Sequence, residues 1–135
     1  TQRTRFLREN IMEGKFGDNG QLLFEVELVA STGERFAVDA LLDTGFTTGF
    51  LAISSQDLMA LQWQKIAPDV EMQTARGSEF FGIYGGRIII DGEEVTIPIH
   101  VGEEVPECLI GARWLEVMEL KVNKRDGILI LSRII

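Results

Sequence analysis

Turn-forming residues recur at short intervals along the chain and divide it into short segments. The turns with the strongest signals are Gly17-Asp18-Asn19-Gly20, Ser31-Thr32-Gly33, Gly85-Gly86, Asp91-Gly92 and Asp126-Gly127. Gly, Asn and Asp adopt the left-handed backbone conformations that tight turns need. The segments between the turns are rich in branched and aromatic residues, which are typical of strands. This spacing predicts a mostly-β fold.

Three hairpins are predicted from the segments on either side of these turns. They pair Leu22 to Val29 with Phe36 to Leu42, Arg87 to Ile90 with Val95 to Val101, and Leu120 to Val122 with Ile128 to Leu131. Two further segments favour short helices. Ser55 to Trp63 follows Ser54, a residue type that often caps a helix, and Ala112 to Met118 follows Gly111.

Length and charge limit the classes of function. A chain of 135 residues fits one domain. We assign residues 16–135 to that domain and residues 1–15 to an N-terminal arm. Glu9 and Glu13 lie among the basic residues of the arm, which favours a solvated segment. The net charge of −8 argues against nucleic acid as a partner, because phosphate contacts need clustered Lys and Arg. No apolar run approaches the length of a membrane span, so we expect a cytoplasmic protein with no membrane partner.

Two reactive residue types occur once each. Cys108 is the only cysteine, which excludes an intrachain disulfide and a multi-thiolate zinc site within one chain. It lies beside Leu109 and Ile110, and we interpret it as a small core residue. His100 lies in an alternating strand pattern, and we expect it to be structural too.

The segment from Ala40 to Ile53 carries the clearest chemical signal. An apolar strand runs directly into Asp43, which Thr44 and Gly45 follow. A carboxylate at the end of a buried strand is costly unless it is hydrogen-bonded or functional. Gly45 allows the backbone to turn tightly and bring its N–H to the carboxylate, and Thr44 can supply a hydroxyl. The structural alternative is that Asp43 only ends a strand and caps a turn.

ALLDTGFTTGFLAIS resembles the active-site segment of the retropepsin-like aspartic peptidases, in which two apolar residues precede Asp-Thr/Ser-Gly. A second segment, from Cys108 to Leu115, resembles the family's apolar-apolar-Gly strand and the helix that follows it. Val70 to Phe81 lies where the family carries its flap hairpin. The resemblance spans roughly residues 20 to 123 and is closer to cellular or bacterial members than to viral ones.

The resemblance implies a single-lobe acid-protease fold, with a closed, barrel-like sheet, a flap hairpin and one or two short helices. It implies that Asp43 is the catalytic residue and that Thr44 and Gly45 support it. The other residues to which the resemblance gives a role are Phe46 in the substrate floor, Thr74, Ala75, Arg76 and Gly77 in the flap, and Leu109, Ile110 and Gly111 in the second motif.

Only one Asp-Thr-Gly occurs in the chain, so the second aspartate of such a site must come from another copy. The expected protein is a homodimeric aspartic endopeptidase that acts on peptides, prefers apolar residues at the cleaved bond, and needs no metal or cofactor. Two departures from the viral pattern stand out. Phe46 replaces a small residue, and Arg113 comes one position later than the arginine that braces viral dimers, so that brace does not carry over.

Two alternatives belong to other classes. The first is a catalytically inactive dimerisation or peptide-binding module of the same fold. The second is an acidic metal site built from Glu93, Glu94, Glu103 and Glu104. Adjacent strand residues face opposite sides of a sheet, so a solvated edge is the better interpretation of these pairs. Phe80, Phe81 and Ile83 are further pocket or flap residues, with a core role as the alternative.

Overall fold

The computed structural model describes residues 11–74 and 77–134. Strands make up most of this part of the chain. They are β1 (Ile11–Glu13), β2 (Lys15–Phe16), β3 (Leu22–Val29), β4 (Arg35–Asp43), β5 (Leu51–Ser54), β6 (Gln64–Thr74), β7 (Gly77–Ile90), β8 (Glu93–Gly102), β9 (Leu109–Gly111), β10 (Met118–Asn123) and β11 (Ile128–Arg133). A helix, α1 (Ser55–Leu61), follows β5, and a 3-10 helix (Ala112–Glu116) follows β9. The predicted mostly-β class is confirmed.

Eight of the strands form one sheet, in the order β2-β3-β4-β9-β5-β8-β7-β6. An additional antiparallel pairing of β3 with β7 closes the sheet into a barrel. The short strand β9 lies in the middle of this order, parallel to β4 and antiparallel to β5. The end of β4 is therefore held from the side by a strand that comes much later in the chain.

The barrel encloses one large apolar core. Alternate residues of β3 point inward, so Phe24, Val26 and Leu28 are buried while Glu25 is exposed. Ile88 and Ile110 are fully buried beside them. This two-residue alternation is the pattern expected for strands with one face on a core. Among the described residues, no helix has the length and apolar character needed to span a membrane.

The three predicted hairpins are all present. β3 pairs with β4, β7 with β8, and β10 with β11, each in antiparallel register. Asp91 and Gly92 form the two-residue turn between β7 and β8, and both have positive φ angles, of 53° and 73°. Turns of this kind match the twist of the strands that they join, which explains their strong sequence signal.

The prediction of a turn at Gly85-Gly86 is wrong. Both residues lie inside β7, where Gly85 pairs with Pro98 and Gly86 with Ile97. A Cβ atom on Gly86 would lie 2.5 Å from a side-chain atom of Ile99 and 2.8 Å from the ring of Trp63. Glycine is needed here because side chains pack directly against the strand backbone, which is one of the reasons for glycine inside strands.

The helix α1 begins as predicted and ends earlier. The hydroxyl of Ser54 accepts a hydrogen bond from the N–H of Gln56 at 3.2 Å, which is an N-cap contact. Gln62 ends the helix in a left-handed conformation, with φ at 55°. Trp63 has already left the helix, and its indole N–H donates to the carbonyl of Val29 at 2.9 Å.

A second, three-stranded sheet joins the two ends of the described chain. Its order is β1-β11-β10, with Ile11 opposite Ser132 and Glu13 opposite Ile130. Residues 11–15, which the sequence analysis assigns to the arm, thus pair with β11 and, through β2, with β3. Residues 1–10 lie outside the described part of the chain.

Candidate active site

The strand β4 places Asp43 at the end of the barrel. Ala40 and Leu42 anchor the strand in the core, and Asp43, its last residue, is half-buried. The N–H of Gly45 donates to Oδ1 of Asp43 at 2.9 Å, and the N–H of Phe46 donates to the Asp43 carbonyl at 3.1 Å. The backbone of the following loop therefore fixes the orientation of the carboxylate, as the sequence predicted for Gly45.

The strand β9 and the 3-10 helix hold this loop from behind. Leu42 pairs with Ile110, and Asp43 pairs with Gly111. The N–H of Gly111 donates to the carbonyl of Phe50 at 2.9 Å, and the N–H of Ala112 donates to the carbonyl of Phe46 at 2.8 Å. These hydrogen bonds tie the two ends of the loop to one rigid element.

Gly111 has no room for a side chain. A Cβ atom at this position would lie 1.8 Å from the carbonyl oxygen of Gly49, a separation that non-bonded atoms cannot adopt. The close contact brings the backbone of β9 directly against the loop that carries Asp43. Of the three residues of the second motif, Leu109 faces the cavity described next, Ile110 is fully buried, and Gly111 makes this contact.

A cavity of about 520 Å³ opens beside Asp43. The loop contributes Asp43, Gly45 and Phe46 to its wall. The hairpin of β6 and β7 contributes another part of the wall, and the segment before β9 contributes a third. The residues from these two parts are Met72, Gln73, Glu79, Phe81, Glu104, Val105, Pro106 and Glu107, and Leu109 of β9 adds to the wall. Asp43 thus faces a space that could hold a substrate side chain.

A second cavity, also of about 520 Å³, lies next to the first. It shares Gly45, Met72 and Gln73 with the first cavity. Thr47, Thr48, Val70, Glu71, Ile83 and His100 complete its wall. The two cavities meet at the loop that carries Asp43, so an extended chain could reach both of them.

Two of the four residues predicted for the flap, Thr74 and Gly77, belong to the described part of the chain. Thr74 ends β6 and pairs with Gly77, which begins β7. Ala75 and Arg76 lie outside the described residues. Of the three further residues considered for a pocket or flap, Phe80 is 65% exposed, while Phe81 and Ile83 are buried and line the first and second cavities respectively.

Phe46 lies in the wall of the first cavity with its ring turned toward the interior. The ring is buried and meets the imidazole of His100 edge-on, with ring centroids 5.0 Å apart. The ring of Phe81 lies 6.1 Å from the same imidazole. Nδ1 of His100 is buried and has no hydrogen-bond partner in the described part of the chain. Desolvation by this burial lowers the pKa of His100, which favours the neutral ring.

The surroundings of two other side chains, Cys108 and Arg113, indicate structural roles. Burial raises the pKa of the Cys108 thiol to about 12, so the thiol stays protonated at neutral pH. The guanidinium of Arg113 lies over the ring of Phe50, 4.8 Å from its centroid. Trp114 donates its indole N–H to the carbonyl of Phe50 at 2.9 Å. Arg113, displaced by one residue from the viral position, thus packs on the loop behind Asp43.

The glutamates considered for a metal site lie in two separate places. Glu93 pairs with Arg133, and Glu94 lies 3.5 Å from Arg87. Glu103 and Glu104 follow β8 at the opposite end of that strand. Glu79 and Glu107, which the sequence analysis did not consider, line the cavity that contains Asp43. Neither residue belongs to a sequence motif, and the fold alone brings both of them to the cavity that contains Asp43.

Comparison with known proteins gives structural matches alone. The sequence matches no protein-family model, and no curated protein matches it. A retropepsin-like aspartic protease from Rickettsia conorii aligns with a TM-score of 0.60 and 18% identity, over 91% of this chain and 90% of that one. The EIAV protease in complex with the inhibitor HBY-793 aligns with a TM-score of 0.58 and 14% identity, over 75% of this chain and 90% of that one. These matches confirm the predicted fold: the chain has the retropepsin-like fold.

Proposed function

We propose that the chain is an aspartic endopeptidase whose active site forms between two copies, each of which contributes Asp43. The observation that carries the proposal is the position of this carboxylate. It lies at the end of a core strand, is oriented by the N–H of Gly45, and faces a cavity of about 520 Å³. A carboxylate that only capped a turn would not need a substrate-sized space beside it.

The chemistry requires a second carboxylate. Two carboxylates about 3 Å apart cannot both ionise, so they share one proton. The ionised member removes a proton from a water molecule, and the protonated member donates a hydrogen bond to the carbonyl of the peptide that the water attacks. A two-fold axis beside Asp43 would generate this pair from two identical chains, as in isologous dimers.

The neighbouring residues have supporting roles in this proposal. Thr44 is exposed next to Asp43, where its hydroxyl can reach the second copy. Phe46 and Leu109 form part of the cavity wall, and Ile110 and Gly111 hold the loop from behind. The hairpin of β6 and β7, in which Thr74 pairs with Gly77, acts as the flap. An extended peptide beneath it would be bound by backbone hydrogen bonds, as in other cases of strand addition.

The first test is the Asp43→Asn variant, assayed for cleavage of a mixed peptide library. We expect complete loss of cleavage with an unchanged fold, because asparagine is nearly isosteric but cannot exchange the proton. Asp57→Asn is the matched control, since Asp57 is exposed on α1. An Asp43→Asn variant that cleaves as fast as the wild type would contradict the proposal. Absence of cleavage by the wild type, in a protein that still binds peptides, would support the inactive module instead.

The second test asks whether the two carboxylates of the pair come from two different copies of the chain. Wild-type chain is mixed with increasing amounts of Asp43→Asn chain and left to exchange subunits, while sedimentation measures the dimer fraction. If a site needs one Asp43 from each copy, mixed dimers are inactive and activity falls with the square of the wild-type fraction. A linear decrease would mean that each chain works alone, and the dimeric site would be rejected.

A further inference from the structure

We propose that this site selects peptides with a lysine or arginine side chain next to the cleaved bond, and that Glu79 and Glu107 make the selection. The inference rests on the proposed function, because the cavity concerned contains Asp43. It differs from the preference for apolar residues that the family resemblance implies, since it comes from the side chains that line this cavity.

The wall of the cavity is apolar along most of its surface and carries carboxylates at a few points. Leu41, Phe81, Val105 and Leu109 are among the apolar residues. Glu79 is half-buried and Glu107 is exposed. Within residues 11–74 and 77–134, no Lys or Arg lines this cavity. The cavity thus combines an apolar wall with the negative charges of Glu79 and Glu107.

Lysine and arginine fit this combination. Each has an aliphatic stem that packs on apolar surface and a charged head that stays near water. The stem would lie against the apolar wall, and the ammonium or guanidinium group would reach the carboxylates. A norleucine side chain could make the first of these contacts but not the second. A glutamate side chain would be repelled.

Other glutamates of the chain already have a cation nearby. Glu93 is paired with Arg133, Glu94 lies near Arg87, and Glu27 lies near Arg35. In the described part of the chain, Glu79 and Glu107 have no such ion pair. A basic substrate side chain would give each of them a partner of opposite charge. The net charge of −8 acts in the same direction, because it attracts cationic peptides over longer distances.

The experiment compares peptides that differ at one residue, placed directly before or directly after the cleaved bond. Lysine, norleucine and glutamate are tested at each place. Two quantities are measured: kcat/KM with the wild-type protein, and binding to the Asp43→Asn variant by fluorescence anisotropy. Glu79→Gln and Glu107→Gln are compared with Glu34→Gln, which removes the same charge from the exposed turn between β3 and β4. Melting temperatures confirm that all three variants fold.

We expect lysine to exceed norleucine in binding and in kcat/KM, and norleucine to exceed glutamate. Because these ion pairs are partly exposed, each Gln substitution at the cavity should reduce the preference for lysine over norleucine by about two- to five-fold. The effect should appear mainly in KM and should shrink at high salt, which screens exposed charges. Glu34→Gln should leave the preference unchanged.

Three results would overturn the inference: equal values for lysine and norleucine, a preference that Glu79→Gln and Glu107→Gln do not alter, or an equal loss in Glu34→Gln. The readouts separate it from the proposed function. Preferential binding of lysine peptides without any cleavage would support the cavity assignment and reject the peptidase. Cleavage without a preference for lysine would support the peptidase and reject the cavity assignment.

Discussion

Replacement of Gly111 with alanine tests the contact on which the site geometry depends. The new methyl group would lie 1.8 Å from the carbonyl oxygen of Gly49 and 2.9 Å from the ring of Phe46. The first of these neighbours is backbone, so β9 and the loop must move apart. This movement breaks or lengthens the hydrogen bonds from Gly111 to Phe50 and from Ala112 to Phe46, at 2.9 and 2.8 Å.

The loss of stability in the Gly111→Ala variant can be worked out from these contacts. Each of the two hydrogen bonds contributes about 1 kcal/mol to stability, and forcing a methyl group into a packed interior costs about 1–3 kcal/mol. The free energy of unfolding should therefore fall by about 3–5 kcal/mol, a large part of the total of about 5–15 kcal/mol for a domain. Peptide cleavage should fall as well, because the carbonyl of Asp43 and its carboxylate are held by the loop that moves.

The assay is urea unfolding followed by the fluorescence of Trp63 and Trp114. Gly85→Ala is the matched control, because its Cβ atom would lie 3.3 Å from a side-chain atom of Ile66, which is 57% exposed and can move aside. We expect the control to lose about 1 kcal/mol or less. If Gly111→Ala is as stable as Gly85→Ala, the contact between β9 and the loop does not have the importance that we assign to it.

Two further predictions concern titrating groups. Burial lowers the pKa of His100 below its ordinary 6.5, so the unfolded chain takes up a proton there before the folded chain does. The stability that the neutral ring contributes is complete above about pH 6.5 and decreases as the pH falls below it. In urea unfolding between pH 7 and 5, the free energy of unfolding of His100→Leu should therefore decrease less steeply than that of the wild type. Equal pH slopes for the two proteins would refute this. Burial also raises the pKa of Cys108 to about 12. At pH 8 iodoacetamide should therefore alkylate the folded chain on the order of a hundred-fold or more slowly than the urea-unfolded chain, and equal rates would show that the thiol is not protected.

The parts of the fold that the sequence predicts are those with local signals. Asp91, Gly92 and Gly127 have positive φ angles, which Gly and Asp tolerate, so the turns at Asp91-Gly92 and Asp126-Gly127 have a local signal. Ser54 caps α1 for the same kind of reason. The strand that ends at Asp43 is predictable because its apolar residues lead directly into the carboxylate.

The features that were missed depend on contacts between distant segments. Gly85 and Gly86 resemble a turn in sequence, but the ring of Trp63 and the side chain of Ile99 pack where a side chain on Gly86 would lie. The full length of β7 is hidden for this reason, and the part of β6 before the predicted flap hairpin, Gln64 to Asp69, was not predicted either. Most of β6 is exposed and polar, so the segment has no regular alternation.

The residues of the site also fall into those with a local sequence signal and those without one. The environment of Asp43 and Gly45 follows from three consecutive residues. Glu79 and Glu107 come to the same cavity from β7 and from the segment before β9, and no pattern in either segment indicates this. The charge of the cavity is a property of the tertiary structure.

The position of β9 in the middle of the sheet has a consequence for folding. β3 and β4 are neighbours in the chain and can pair early, whereas the parallel partner of β4 arrives only from the last third of the chain. Contacts between distant segments form slowly, because a long loop must close first. Under the proposed function, a newly made chain would carry its Asp-Thr-Gly for some time without the support that orients it, so hydrolytic capacity would be acquired only when the barrel is complete.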